Sequence, residues 1–233
     1  MEPGRGATPS HLLLRALWAL AGVAVLAVGS AVLLSANVGV DPFTAANIGV
    51  SARLGLDLGL WQLLVNAVLL VPVVLWGRSH VGLGTVINMT LTGFFVQWFA
   101  GLLEPLVPDP PGHLLQAALF FAGIILFTAG ASAYMTAGIG TAPYDAIAPI
   151  AVERTRARYR VVRVVQDLAF VALAVTFSGP VGVGTVMTAF FAGPLIELFT
   201  ERVDAPLLER ALGGSRGSRP AGAEPGRRPH EAG

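Results

Sequence analysis

Six stretches of the chain are apolar for long enough to cross a bilayer. A helix rises 1.5 Å per residue, so a hydrocarbon core of ~30 Å calls for about 20 predominantly apolar residues. Residues 12–36, 60–76, 85–103, 114–137, 161–177 and 185–199 come nearest to that requirement. Two further stretches, 41–55 and 141–154, are moderately apolar, contain proline and are too short to cross upright. They read as short re-entrant or interfacial segments, because irregular backbone at membrane depth is tolerated only under cover of protein or a wet cavity. The first span exceeds the apolar core of a cleaved signal peptide and reads as a retained anchor. Residues 1–10 and 205–233 are rich in Gly, Pro, Arg and Ala without an apolar period, and are expected to be disordered tails. The basic C-terminal tail reads first as a solubilising segment, with contact to anionic headgroups as the alternative.

The pattern occurs twice. A shift of 101 places Gly22 on Gly123, Gly29 on Gly130, Gly39 on Gly140 and Pro42 on Pro143. After a slip of one residue, a shift of 100 places Val81–Val86 on Val181–Val186, Gly93 on Gly193 and Phe99 on Phe199. Residues 11–104 and 114–202 are thus expected to be two membrane repeats of three spans each. An odd number of spans sends the second copy into the membrane from the opposite side, an inverted-topology repeat of the kind many secondary transporters use. Were the short segments also to span, eight crossings would make the copies parallel; segment length favours six. The fold expected is an all-α integral membrane protein of about six transmembrane helices, in two inverted three-helix repeats, each with a short re-entrant or interfacial segment.

The glycines explain how such helices approach. Gly22 and Gly29 are seven apart and share a helix face, as do Gly123 and Gly130, which suits close backbone packing in lipid. Thr85 and Thr185 follow Gly-x-Gly at the starts of the third and sixth spans and are capping residue types. A helix N-terminus left inside the membrane would attract an anionic group.

Composition removes most alternatives. The chain is 54% hydrophobic and 12% charged, against roughly 25% charged in soluble domains. Without cysteine it can form no disulfide, thiolate metal site or cysteine nucleophile. The four histidines are scattered, and no zincin, nucleophile-elbow or P-loop pattern occurs. No enzyme activity, cofactor or metal is therefore expected, and a net charge of +1 points to no nucleic-acid partner. Every basic residue is an arginine. With both termini in the cytoplasm, six spans put all of them inside except Arg53, as positive-inside placement prefers.

Several motifs resemble the YczE/YitT group of bacterial multi-pass membrane proteins, and in particular its YczE-like branch. They are Gly140-Thr141-Ala142-Pro143-Tyr144-Asp145, Arg160-Val161-Val162-Arg163 followed by Asp167, Gly182-Val183-Gly184-Thr185, Gly193-Pro194-Leu195 and Gly82-Leu83-Gly84-Thr85. The resemblance implies a multi-pass protein of the bacterial cell membrane and carries no assigned activity. Similar proteins tend to hold an acid after the first Pro-aromatic pair, where this chain has Thr44, so a role resting on two symmetric acids does not transfer. At Glu197 the resemblance implies variation between amide and acid.

A charge at the bilayer centre costs ~2.5–3.5 kcal/mol on insertion scales, so charged residues inside spans are functional candidates. Asp145, Arg163, Asp167 and Glu197 qualify, and are expected to converge on one cavity facing the cytoplasm. Their counterparts in the first repeat are Thr44, Gln62, Asn66 and Gln97, polar at every position and charged at none. The function expected is transporter-like, with a small polar or ionic solute bound between the repeats. In that reading Arg163 pairs a substrate anion or Asp167, Asp167 and Glu197 carry a proton or cation, and Asp145 lines the entry. The alternative is a non-transporting scaffold or assembly partner of another membrane complex, with the charges as a structural network.

Overall fold

A computed structural model describes residues 9–213, and their regular structure is entirely helical. The order is α1 (Pro9–Ser35), α2 (Pro42–Leu54), α3 (Leu58–Trp76), α4 (Leu83–Leu103), α5 (His113–Thr136), α6 (Pro143–Thr155), α7 (Tyr159–Thr176), α8 (Val183–Phe199) and α9 (Ala205–Ala211). A 3₁₀ turn, Arg78–His80, precedes α4, and a π turn, Thr200–Asp204, joins α8 to α9. Five of these segments are long and apolar enough to cross a membrane: α1, α3, α4, α5 and the continuous run Val183–Ala211. Of the six spans read from the sequence, α7 is the one outside that set; it carries Arg160, Arg163 and Asp167 within 18 residues.

Local chemistry fixes the two short helices. Asp41 Oδ1 accepts the Thr44 amide at 3.0 Å at the start of α2, with Pro42 in the first turn, where its missing N–H costs nothing. Gly55 stops the helix in the left-handed conformation (φ 66°). Pro143 opens α6 in the same way, and Arg156 closes it with a positive φ of 56°. The caps expected at Thr85 and Thr185 are present: their hydroxyl oxygens accept the amides of Gly82 and Gly182 at 3.0 and 3.1 Å.

The centre of the molecule is the pair α1 and α5, which run antiparallel. Arg15 near the start of α1 donates to the Ala137 carbonyl at the end of α5 at 2.7 Å. Gln116 near the start of α5 donates to the Ala36 carbonyl just beyond α1 at 2.9 Å. Between these ends, a Cβ on Gly29 would collide with the Phe127 backbone, and one on Gly130 with the Leu26 amide. Val23, Leu26, Ala131 and Tyr134 fill one buried cluster there; Leu33, Ala45, Ala46, Ile124 and Ala174 fill a second.

Contacts between the halves come in reciprocal pairs. The Gly184 amide donates to the Val38 carbonyl at 2.7 Å, and the Gly84 amide to Ile139 at 2.8 Å. Val40 N–H meets the Pro180 carbonyl at 3.3 Å, while Thr141 N–H meets His80 at 3.0 Å. α2 packs on α7 of the other half, and α6 on α3.

One pairing departs from this exchange. α3 and α4 are tightly packed: a Cβ on Gly59 would run into the Phe94 ring, and one on Gly93 would lie 3.0 Å from Gln62 Cβ. At Gly193, the counterpart of Gly93, an added Cβ meets nothing within 4 Å. α7 and α8 stand apart there, and a cavity of about 100 Å³ lies between them.

The tail expected from residue 205 needs correction. The helical rod continues through the π turn into α9, where Leu208 is buried, and Asp204 of the turn is tied to Ser132 of α5. At the other end, Pro9 and Ser10 already belong to α1. The remainder of both predicted tails, 1–8 and 214–233, lies outside the described residues.

Candidate functional site

The first residues after the opening prolines of the two short helices meet. Phe43 of α2 and Tyr144 of α6 stack with ring centroids 4.6 Å apart, and Phe170 of α7 closes edge-on against Tyr144 at 5.1 Å. Two helix N-termini therefore converge on one point, from opposite halves of the chain. Each carries the partial positive charge of its unpaired amides.

Around that point α5, α6 and α7 supply a ring of ionisable groups. Arg163 Nη1 donates to Asp145 Oδ1 at 3.1 Å, and Arg163 Nε lies 3.4 Å from Asp167 Oδ1, one turn along the same helix face. The Tyr134 hydroxyl donates to the other oxygen of Asp145, and the Tyr144 hydroxyl to Asp167 Oδ1. The Arg163 guanidinium also sits 4.8 Å over the Tyr144 ring, a cation–π contact. Gln166 fixes α6 to α7 by donating to the Tyr144 carbonyl at 2.8 Å. One guanidinium thus bridges two carboxylates, each held by a phenol. Asp41, the cap of α2, lies within electrostatic reach of both, and its Oδ2 is buried without a hydrogen-bond partner among the described residues.

Of the residues singled out in the sequence, Asp145, Arg163 and Asp167 are brought together, and Thr185 joins Asp167 in the wall of the α7–α8 cavity. Glu197 is not. It lies exposed on α8 and makes no ion pair or hydrogen bond among the described residues, so the expected convergence of four charges reduces to three. Position along a span gives depth, whereas the separation of α7 from α8 decides which charges meet.

The first-half counterparts sit in packed surroundings. Thr44, Gln62, Asn66 and Thr85 are all buried. Neither polar atom of the Asn66 amide has a hydrogen-bond partner among the described residues. Thr85 donates to the His80 carbonyl at 3.1 Å. Gln97 accepts the Gly59 amide at 3.1 Å and donates to Asp57 at 3.0 Å, tying α4 to the start of α3.

Tyr134, Tyr144 and Asp41 were not among the expected site residues. The shift of 101 held a signal for both tyrosines, which stand where the first half of the chain has Leu33 and Phe43, each adding a hydroxyl. A further buried carboxylate, Asp204, accepts the Ser132 hydroxyl at 2.5 Å and joins the π turn to α5. The described residues contain no group of three or more acidic or histidine side chains arranged to hold a metal ion.

A family described only as a family of unknown function (DUF6198) matches residues 13–201, most of the chain and all of the helices that build this site up to the π turn. The chain belongs to that family. It is 28% identical over 187 residues to a Bacillus subtilis protein named as the uncharacterized membrane protein YczE, covering 80% of this chain and 85% of the relative. The uncharacterized protein YyaS of the same organism is 25% identical over 190 residues, covering 81% and 94%. An uncharacterized protein of Haemophilus influenzae is 25% identical over 181 residues, covering 77% and 80%. No solved structure matches the chain. The YczE-type resemblance of the sequence motifs is thus borne out, and the chain is a membrane protein with several apolar helices.

Proposed function

We propose that the protein is a carrier rather than an enzyme, built of two inverted repeats, which binds a small ionic solute or a proton between them. The observation that carries this reading is the Asp145–Arg163–Asp167 ring, set where the N-termini of α2 and α6 meet at the boundary of the halves. Paired, buried ions inside a membrane serve substrate and proton pathways, and inverted-repeat carriers hold their sites at such a boundary.

The antiparallel pairing of α1 with α5 supports the inverted arrangement. If α1, α3 and α4 cross and α2 does not, α5 is the fourth crossing and must run opposite to α1. If α2 also crossed, α5 would be the fifth and run parallel to α1. The hydrogen bonds at both ends of the pair fit the first case. The reciprocal contacts of Val38 with Gly184 and of Ile139 with Gly84 are those expected of a pseudo-twofold axis. In this reading the membrane is the bacterial inner membrane, both termini are cytoplasmic, and α7 is the sixth span despite its charges.

Asp167 is the group on which transport turns. Among the described residues it is held by Arg163 and Tyr144 through Oδ1 alone, which leaves Oδ2 to exchange a proton or receive a cation. Reconstituted in liposomes loaded with a pH-sensitive dye, the protein is expected to conduct a proton or solute-coupled flux that Asp167→Asn abolishes. Flux that is unchanged in Asp167→Asn contradicts the assignment. A protein that carries nothing but is recovered with a stoichiometric membrane partner would favour the scaffold alternative.

A further inference from the structure

We infer that the crevice between α7 and α8 binds a small organic ammonium ion with a short apolar body, received by Asp167. This names the solute class for the carrier reading and rests on it for its biological use, although the binding site stands on its own geometry.

The cavity of about 100 Å³ has Val164 and Leu168 on one wall, Val186 and Phe190 on the other, and Asp167 and Thr185 as its polar groups. Liquid water occupies ≈30 Å³ per molecule, so the space suits roughly three waters or one amine of about four to six heavy atoms. Two observations distinguish it from an ordinary gap between helices. First, the Asp167 side chain is 5% exposed, yet Oδ2 has no hydrogen-bond partner among the described residues. Second, the matching helices of the first half are packed: Asn66, the counterpart of Asp167, is buried, Gly93 lies on Gly59 and, one turn before Asn66, on Gln62, and Thr85 uses its proton on the His80 carbonyl. Thr185, capping α8 in the same manner, has no acceptor for its proton among the described residues.

Charge selects the sign of the ligand. Asp145 and Asp167 share one guanidinium, and Asp41 adds a third carboxylate within reach. Carboxylates thus outnumber the cation, and the balance of charge favours a positive ligand. The apolar walls favour a cation that brings its own hydrocarbon over a hydrated metal ion, which would have to shed water without replacement ligands. The wall residues Leu168, Val186 and Phe190 are also exposed on the outer surface of the bundle. The mouth of the crevice therefore opens sideways between α7 and α8, on a face an amphiphilic amine can reach.

The full chain in detergent is titrated with n-butylammonium chloride, with 1-butanol as the neutral analogue of similar size. Thermal unfolding is the readout, since a ligand that binds the folded state alone raises the midpoint. Saturable stabilisation is expected from butylammonium and none from butanol. Affinity should fall at least tenfold in Asp167→Asn, and equally in Ala189→Leu, which fills the cavity from the apolar wall and leaves the ion ring untouched. Equal binding of both compounds, or full affinity in Ala189→Leu, overturns the inference. Proton flux that depends on Asp167 in a protein that binds no ammonium would refute this site and leave the carrier reading standing. Ammonium binding lost in Ala189→Leu, in a protein without flux, would do the reverse.

Discussion

Arg163 holds the site together, because it answers two carboxylates with two different nitrogens. Removing one partner from a buried ion pair costs ~3–5 kcal/mol, since the remaining charge stays in a poor solvent. Arg163 is only partly buried, so Arg163→Met is expected to cost up to about that much, read as a lower unfolding midpoint and a lower folded yield in detergent. Arg163→Lys should recover only part of the loss, because one ammonium lacks the fork that reaches Asp145 and Asp167 at once. A Lys variant as stable as the parent would show that the bridge is dispensable. Tyr144→Phe keeps the stack on Phe43 and removes one hydrogen bond to a charged group, an effect of about 1.5–3 kcal/mol in the same measurement. At this scale the sequence was a good guide to Asp145, Arg163 and Asp167, because charges stand out in apolar runs. It was a poor guide to Tyr134 and Tyr144, since a phenol in an apolar helix is unremarkable until its hydroxyl partner is known. It was misleading at Glu197, where spacing supplied the depth but not the face.

Helices in lipid gain no hydrophobic advantage from touching each other, so close packing of small residues carries their association. Gly29 and Gly130 are such residues, with backbone of the partner helix where a side chain would go. Gly29→Leu is expected to destabilise the fold by several kcal/mol or prevent it, because α1 and α5 would be forced apart. Gly193→Ala, facing open space, should stay within about 1 kcal/mol, the ordinary scale of a helix-propensity change. Equal effects of the two substitutions on unfolding would contradict the packing described. The seven-residue glycine spacing made the α1–α5 face legible in advance, and the prolines with their short apolar runs did the same for α2 and α6. α9 was hidden: averaged over a window rich in Gly, Pro and Arg, Leu207 and Leu208 leave no visible period. The gap between α7 and α8 was hard to read, since Gly93 keeps its counterpart in Gly193 and only Gly59, replaced by Arg160, marks the difference between the halves.

For the molecule as a whole, matched glycines predicted two related halves, and the contacts between Val38 and Gly184, and between Ile139 and Gly84, exchange as such halves require. In the proposed two-repeat reading, the open α7–α8 and closed α3–α4 pairings would be two conformations of one repeat. In a carrier of this kind they would trade places during the cycle. The proposed carrier reading rests on the relative direction of the halves, and the absence of cysteine makes that direction directly measurable. Ser79 and Ser178 are exposed, in the loops that follow α3 and α7. Each is replaced singly by cysteine and treated with a membrane-impermeant thiol reagent before and after the cells are permeabilised. The account predicts that Ser178→Cys reacts in intact cells and Ser79→Cys only after permeabilisation. Labelling of both from the same side would contradict it.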